Sequence, residues 1–282
     1  MEYRLGLIGF PIKQSMSPWI HEQFLKKADL KGDYDIFEID PDGPVDKKIS
    51  DLKNRQLDGF NVTVPYKKRI ISHLDQLDED ARSIGAVNTV VSHNGNWIGY
   101  NTDWTGYLTA LKHHYPTIFQ KKSCSILLIG AGGAARGIFY GLIKEGFTQV
   151  DIANRTQSSA EAIAMLGSTK TETAIMTLKD AESRLGHYDL IIQTTNIGMK
   201  PNVTATIMSL EQLHQDSIVS DIIYQPIKTE FLHQASKKGA SIHYGHTMLL
   251  YQAQYAFELW TSKKIPVDDM AEQLKRKLEE GR

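Results

Sequence analysis

Several features that mark particular classes of protein are missing from this sequence. Its 282 residues include a single cysteine, Cys124, so no disulfide can form within the chain and a reducing compartment, the cytoplasm, is expected. No apolar run approaches the roughly 20 residues that cross a bilayer, and the first residues lack the basic segment and apolar stretch of a signal peptide. We therefore expect no membrane partner.

Charge of one sign is not in excess either. The 32 basic and 33 acidic residues give a formal net charge of -1, which predicts no nucleic-acid partner. The 10 histidines show neither an H-E-x-x-H pattern nor any other metal-ligand spacing, so no metal site is predicted. With 41% apolar and 23% charged residues the chain can bury a core without disulfides or metal, and its length suits two domains.

Predicted strands and helices alternate along the chain, which indicates an α/β fold with a mostly parallel sheet. In the first part, the Asn94-Gly95 pair predicts a tight hairpin between strands at 89–93 and 96–100. In the second part, short apolar strands alternate with helices in a doubly wound pattern. We predict an N-terminal α/β substrate-binding and catalytic domain over residues 1–105 and 246–282, a dinucleotide-binding domain over residues 106–245, and a cleft between them.

The segment Gly130–Ala135 has the pattern G-x-G-x-x-A directly after a predicted strand and directly before a predicted helix. Gly130 permits a tight turn, Gly132 lets the backbone approach a pyrophosphate, and the small side chain of Ala135 lets helix and strand pack closely. The N-terminus of the helix adds unpaired N–H groups and a positive dipole end. Because this strand–turn–helix context is complete, a Rossmann-type dinucleotide site is predicted.

The residues after the next strand favour NADP over NAD. An NAD site places a carboxylate at the end of that strand to accept from the ribose 2′-hydroxyl, but the sequence there is Ala153-Asn154-Arg155-Thr156. An arginine at this point can pair with a 2′-phosphate instead. Asp151 lies near the spacing expected for an NAD carboxylate, and we predict that it points elsewhere from the middle of the strand.

Polar side chains stand at predicted strand and loop ends of the first domain, where ligands bind in α/β sheets and where hydroxyl and amide groups suit a substrate rich in oxygen. They are Ser15, Ser17, Asn61, Thr63, Lys67, Asn88 and Asp103. Each alone also has a structural interpretation: Ser17 or Asp103 can cap a helix, Asn88 can form a turn, and Lys67 can be a solvated surface lysine. Gln252 lies on an apolar helix face, where either a substrate hydroxyl or a protein group can be its partner.

Taken together, these segments resemble the shikimate dehydrogenase family. The resemblance rests on S-M-S-P at 15–18, N-V-T-V-P-Y-K at 61–67, G-A-V-N-T at 85–89, G-Y-N-T-D at 99–103, the glycine loop, N-R-T at 154–156, D-I-I-Y at 221–224, and Gly245 with Gln252. These motifs follow in the family's order from residue 6 to about residue 260. His246-Thr247 departs from the pattern, because small or apolar residues are commoner there.

The resemblance implies reversible reduction of 3-dehydroshikimate to shikimate with NADPH, a step of chorismate and aromatic amino-acid biosynthesis. It implies that Lys67 and Asp103 form the catalytic pair. The implied substrate-binding residues are Ser15, Ser17, Asn61, Thr63, Asn88, Tyr224 and Gln252. The implied cofactor-binding residues are Gly130, Ala131, Gly132, Gly133, Ala134, Asn154, Arg155, Thr156, Ile222, Gly245 and Glu79.

Other functions share parts of this pattern. A quinate dehydrogenase, or an enzyme acting on both quinate and shikimate, has the same fold and lysine; Ser15 and Ser17 together with 154–156 favour shikimate and NADP. A methylene-tetrahydrofolate dehydrogenase shares the two-domain plan, but the S-M-S-P segment argues against it. A non-catalytic NADP-binding regulator could keep the glycine loop, yet Lys67 and Asp103 are both retained. The oligomeric state, monomer or homodimer, stays open.

Overall fold

The computed structural model describes residues 2–280. Contacts between Cα atoms divide the chain into two compact units. The first holds the described residues up to Asp103 and the segment Gln252–Val267; the second holds Trp104–Tyr251 and the described residues from Asp268 onward. In this division the chain passes from one unit to the other between residues 103 and 104 and again between 251 and 252, and the described C-terminal residues belong to the second unit. The domain boundaries predicted after residues 105 and 245 remain predictions.

The first unit is built on one mixed sheet of six strands in the order β2-β1-β3-β5-β6-β4. These strands are β1 (Glu2–Gly9), β2 (Lys31–Glu38), β3 (Gly59–Val62), β4 (Gln76–Leu77), β5 (Thr89–His93) and β6 (Asn96–Tyr100). β2, β1 and β3 pair in parallel, whereas β5 pairs antiparallel with both β3 and β6. The helices α1 (Ser17–Lys27), α2 (Val45–Lys53) and α3 (Glu79–Ile84) connect them.

Alternating side chains cover both faces of this first sheet. Ile8 joins a core with Phe60 and Val62 on one face, while Leu5 of the same strand packs with Trp260 on the other. The predicted hairpin is confirmed with its predicted bounds. Its turn residues Asn94 and Gly95 have φ angles of 51° and 82°, the left-handed conformation that a two-residue hairpin loop requires.

The second unit contains a fully parallel sheet of six strands in the order β12-β11-β10-β7-β8-β9. These strands are β7 (Ser125–Ile129), β8 (Gln149–Ala153), β9 (Ile175–Met176), β10 (Leu190–Gln193), β11 (Ile218–Asp221) and β12 (Ser241–His243). The helices of the remaining chain are α4 (Asp103–His114), α5 (Gly133–Lys144), α6 (Gln157–Ala164), α7 (Leu178–Glu182), α8 (Glu230–Lys237), α9 (Gly245–Thr261) and α10 (Met270–Glu280). The chain winds outward from β7 in both directions, which is the predicted doubly wound topology.

The central strand β7 is buried on both faces, as its apolar sequence predicts. Ile126 and Leu128 enter one core, and Leu127 and Ile129 enter the other. The strand order reverses at β7, between β8 on one side and β10 on the other. Ligands of doubly wound sheets bind outside the carboxyl ends of the strands at such a reversal, and the glycine loop follows β7 directly.

Candidate active site

Lys67 and Asp103 form an ion pair in the first unit. The Lys67 Nζ atom lies 2.7 Å from Asp103 Oδ2, and the two side chains are 17% and 5% exposed. Lys67 is therefore not a solvated surface lysine. The backbone at Lys67 is held by two hydrogen bonds. The Val87 N–H donates to the Lys67 carbonyl at 2.8 Å, and the buried hydroxyl of the preceding residue, Tyr66, donates to the Ile39 carbonyl at 2.6 Å.

The Asn88 amide lies at the centre of the polar network around this pair. Its Nδ2 atom is 3.0 Å from both Thr102 Oγ1 and Asp103 Oδ1, and 3.2 Å from Gln252 Oε1. Its Oδ1 atom accepts from the Thr102 backbone N–H at 2.7 Å. Asn88 thus links Asp103 with Gln252, which lies 164 positions after Asn88 in the sequence. Asp103 begins α4, and its backbone N–H donates to Asn101 Oδ1 at 3.1 Å.

The Asn61 side chain is fully hydrogen-bonded within the protein. Its Oδ1 atom accepts from the Tyr34 hydroxyl at 2.8 Å and lies 3.1 Å from His21 Nε2. Its Nδ2 atom donates to the Asn88 carbonyl at 3.2 Å and to Thr89 Oγ1 at 3.1 Å. A carboxamide offers two acceptor sites and two donors, so these four contacts use all of its capacity.

The two serines lie together at the start of α1. The Ser15 hydroxyl donates to Ser17 Oγ and accepts from the Ser17 backbone N–H, both at 3.2 Å. The interpretation of Ser17 as a helix cap is wrong, because Met16 is the N-cap and Ser17 is the first helical residue. Thr63 is half-buried, and within residues 2–280 its hydroxyl makes no hydrogen bond. The loop before the serines packs close to Thr63, since a Cβ atom at Gly9 would overlap the Thr63 methyl group.

The glycine loop of the second unit is a tight turn that requires glycine at one position and leaves its backbone open at another. Gly130 has a φ angle of +109°, and a Cβ atom there would lie 2.6 Å from the Thr194 hydroxyl, so only glycine fits. A Cβ atom at Gly132 would meet nothing within 4 Å, so the loop backbone is open on that side. Gly132 is also the N-cap of α5 and supplies no side-chain cap, and Ala135 is fully buried against the core as the small third residue.

The end of β8 has no free carboxylate for a ribose hydroxyl. Asp151 Oδ1 accepts from the Ala174 backbone N–H and Oδ2 from the Tyr188 hydroxyl, both at 2.8 Å, as expected for a side chain that points elsewhere. Arg155 is exposed and forms no ion pair or hydrogen bond with any of the described residues. Thr156 is the N-cap of α6 without a side-chain cap bond, and Asn154 Nδ2 donates to its carbonyl at 2.8 Å.

The remaining predicted site residues are divided between the two units. Gly245 begins α9 in the second unit, and a Cβ atom there would overlap the backbone of Ile222, so these two residues are in direct contact. Tyr224 also belongs to the second unit, and burial raises the pKa of its hydroxyl. Glu79 is exposed at the start of α3 in the first unit. His246 is 4% exposed, and burial lowers the pKa of its imidazole to about 4.

Sequence reasoning assigned no role to several buried polar groups that hold the predicted site residues. His21 is fully buried, stacks on Tyr34 with ring centroids 4.5 Å apart, and contacts Asn61. Thr102 bonds Asn88, and Asp221 lies buried beside Ile222. The available signal was a polar residue in a strand that begins with apolar residues, as at Asp221 in the strand that starts Ile218-Val219; that signal does not identify the partner. Within residues 2–280, no helix is long and apolar enough to span a membrane, and no cluster of three or more His, Cys, Asp or Glu side chains is placed to hold a metal ion.

Comparison with known proteins relates both units to one family. Residues 7–90 match the model of the shikimate dehydrogenase substrate binding domain, residues 114–223 that of shikimate / quinate 5-dehydrogenase, and residues 245–275 that of the shikimate 5′-dehydrogenase C-terminal domain. Shikimate dehydrogenase (NADP(+)) of Oceanobacillus iheyensis is 48% identical, with 98% of each chain covered. A crystal structure of shikimate dehydrogenase in complex with NADP+ superposes with a TM-score of 0.89 at 36% identity, covering 98% of this chain and 96% of the other. The Thermus thermophilus enzyme in complex with NADP(H) and shikimate gives a TM-score of 0.85 at 29% identity, covering 97% and 99%.

Proposed function

The chain belongs to the shikimate dehydrogenase family, and on that premise we propose that it catalyses the reversible, NADP-dependent reduction of 3-dehydroshikimate to shikimate, a step of chorismate and aromatic amino-acid biosynthesis. Lys67 and Asp103 are the catalytic pair of this proposal. The observation that carries it is the 2.7 Å contact between Lys67 Nζ and Asp103 Oδ2 inside a network that also includes Asn88 and Gln252. A cation held in this way has a fixed position from which to meet a developing negative charge.

Lys67 has the chemistry that carbonyl reduction demands of the protein. As hydride adds to the carbonyl carbon, negative charge develops on the oxygen, and an ammonium group can stabilise that charge and then donate a proton from Nζ. Asp103 fixes the ammonium through Oδ2, while its Oδ1 atom is held by Asn88. In the direction of shikimate oxidation, the neutral amine of Lys67 takes the hydroxyl proton back.

The polar groups around the pair suit a small acid with several hydroxyl groups. In the proposal the hydroxyls of Ser15 and Ser17 bind the substrate carboxylate, and Thr63, Asn88 and Gln252 bind ring hydroxyls. The Thr63 hydroxyl has hydrogen-bonding capacity available within residues 2–280. Asn61 has none, so its role is to orient its neighbours rather than to bind the substrate directly.

The second unit has a surface that fits NADP. The proposal assigns the pyrophosphate to the backbone of residues 130–134, where the loop is open at Gly132 and where the first turn of α5 has no side-chain cap. Arg155 with Asn154 and Thr156 would hold the adenosine 2′-phosphate, since the Arg155 side chain is exposed and makes no ion pair or hydrogen bond with the described residues. When bound, the cofactor supplies the hydride.

Three further assignments remain proposals. We assign Tyr224 to the substrate, Glu79 to the cofactor, and Ile222 with Gly245 to the nicotinamide. We also propose a cytoplasmic location, which the state of the single thiol supports. Cys124 is 2% exposed, and burial raises its pKa to about 11, so it is neither paired nor activated.

One assay tests the proposed reaction. Purified protein is supplied with NADP and either shikimate or quinate, with NAD as the alternative cofactor, and formation of the reduced cofactor is followed by its absorbance. We expect rapid turnover of shikimate with NADP and little turnover of quinate. Preferred oxidation of quinate would identify the alternative quinate enzyme. NADPH binding without turnover of either acid would indicate a regulator and contradict the proposal.

A further inference from the structure

Asp221 is a buried carboxyl group that takes no part in the chemistry proposed above. It ends β11, its exposed fraction is 0%, and it forms no ion pair with any of the described residues. Burial raises its pKa to about 7, against the lowering effect of the hydrogen bonds it accepts. Because an unpaired carboxyl group in an apolar interior destabilises the fold, its presence calls for a compensating role.

The hydrogen bonds of Asp221 join three separate segments. Its Oδ1 atom accepts from the Ile223 backbone N–H at 2.9 Å, and its Oδ2 atom accepts from the Thr229 hydroxyl at 2.7 Å. The Gln193 Nε2 atom, at the end of β10, lies 3.4 Å from Oδ1 and 3.5 Å from Oδ2. Thr229 is in turn the N-cap of α8, where its hydroxyl oxygen accepts from the Leu232 N–H at 3.3 Å.

These bonds close the loop 222–229 at both of its ends. The Ile223 contact fixes the first turn of the loop, and the Thr229 contact fixes its last residue against the same carboxyl group. The neighbouring loop is held through Gln193, whose Nε2 atom also donates to the Ile197 carbonyl at 3.1 Å. One carboxyl group therefore sets the path of the chain after β11 and contributes to holding the path after β10.

The loop closed by Asp221 carries part of the predicted cofactor surface. Ile222 is its first residue, and the backbone of Ile222 lies so close to Gly245 that no Cβ atom fits between them. A shift of residues 222–223 would consequently move one wall of the surface that Ile222 and Gly245 form. A carboxylate suits this task because it only accepts hydrogen bonds and has about four lone-pair sites, whereas an amide replaces half of these with donors.

We propose that Asp221 is a positioning residue that fixes the loop 222–229, so that Ile222 and Gly245 present a preformed surface to the nicotinamide end of the dinucleotide. This inference rests on the proposed function, which places a dinucleotide on this unit. Preformed contacts strengthen binding because the loop does not have to be ordered when the ligand arrives.

The test compares ligands with and without the nicotinamide in the full-length protein. Dissociation constants for NADPH and for 2′-phospho-ADP-ribose are measured by calorimetry for the wild type and for Asp221→Asn. We expect NADPH binding to weaken about tenfold, the effect of losing one good buried hydrogen bond, and 2′-phospho-ADP-ribose binding to change by less than about twofold. The kcat for shikimate oxidation should fall by at least about tenfold, since the nicotinamide is no longer held in one orientation.

Thr229 and Ser217 provide the matched variants. Thr229→Val removes one of the three contacts and should reproduce part of the selective loss, whereas Thr229→Ser keeps the hydroxyl and should restore wild-type binding. Ser217 stands just before the opposite end of β11, is 2% exposed, and donates to the Tyr188 carbonyl at 2.7 Å. Ser217→Ala should lower the stability to urea without changing the ratio of the two dissociation constants.

The possible outcomes separate the inference from the proposed function. Equal weakening of both ligands, or no weakening of either, in folded Asp221→Asn would overturn the positioning role; if that variant does not fold, the Thr229 pair decides in the same way. A wild-type protein that binds NADPH but does not oxidise shikimate would contradict the proposed function alone, because the ratio of dissociation constants still measures the role of Asp221. A wild-type protein that does not bind NADPH would overturn both.

Discussion

Replacing Lys67 should separate its contribution to catalysis from its contribution to stability. Lys67→Met keeps an unbranched, apolar side chain and removes the ammonium group. The remaining Asp103 carboxylate has a side-chain exposure of only 5%, so it would lose its cation in a largely dry site. Breaking a buried pair in this way costs about 3–5 kcal/mol, and we expect the lower end because Asn88 still donates to Oδ1. The kcat should fall by about 10²–10⁴ if Lys67 is the general acid.

The double variant Lys67→Met/Asp103→Asn distinguishes the two effects. It removes the unpaired charge, so most of the lost free energy of unfolding should return, while kcat should stay as low as in the single variant. Stability is measured by urea unfolding followed by circular dichroism, and kcat by the absorbance of the reduced cofactor. Lys68, the exposed neighbour, gives the control, since Lys68→Met should change stability by less than about 0.5 kcal/mol and leave kcat intact.

Three results would contradict parts of this reasoning. An unchanged kcat in Lys67→Met would show that the ammonium is not the acid of the reaction. A free energy of unfolding equal to that of the wild type would show that the 2.7 Å pair contributes no net stability and that Asp103 tolerates the loss of its cation. Loss of stability that the double variant fails to restore would point to lost packing of the lysine stem rather than to the charge.

Three other perturbations test separate parts of the site. Arg155→Asp should lower kcat/KM for NADP relative to NAD by at least about tenfold, because a carboxylate repels the 2′-phosphate; an unchanged ratio would contradict the assignment. His246→Leu should gain stability relative to the wild type as pH falls from about 6.5 to about 4, by up to about 1.4 kcal/mol per pH unit. In this range His246 is protonated in the unfolded wild type but not in the folded protein, where burial lowers its pKa to about 4. Urea unfolding of both proteins at several pH values measures this difference, and parallel curves would contradict it. Gly245→Ala should weaken NADPH binding measured by calorimetry, since its methyl group would displace the Ile222 backbone; wild-type affinity in a folded variant would remove these residues from the cofactor surface.

Local patterns predicted the elements whose causes are local. The hairpin at 89–100 was predicted with its bounds because Asn94 and Gly95 both adopt the left-handed conformation that its turn requires. The strand β7 was predicted because four consecutive apolar residues suit a strand covered on both faces, and the glycine loop because its spacing has one well-known use. Two-residue strands such as β4 and β9 have no periodicity to detect, since they exist only through pairing with a neighbour.

Contacts between distant residues could not be read from the chain. Asn88 was predicted as a site residue, but its contacts with Asp103 and Gln252 were not. These contacts form only because three separate segments meet in the fold, and Asn88 and Gln252 are 164 residues apart in the sequence. The capping role considered for Ser17 was wrong for a local reason. The helix α1 begins at Ser17 itself, so the hydroxyl lies in the first turn rather than at the N-cap. Sequence patterns thus identified the polar residues of the site without identifying their partners.

Hydrogen-bonding capacity, rather than position alone, divides the candidate residues into two groups. Asn61 has four partners for its four hydrogen-bonding sites, so a substrate could reach it only by breaking a bond between buried groups, at a cost of about 1–3 kcal/mol. Thr63 differs, because its hydroxyl makes no hydrogen bond within residues 2–280 and can meet a substrate hydroxyl without breaking one. Asp221 resembles Asn61, because its carboxyl oxygens accept hydrogen bonds from groups of the protein itself. Residues of the first kind hold the site in shape, and a search for ligand contacts should begin with those of the second.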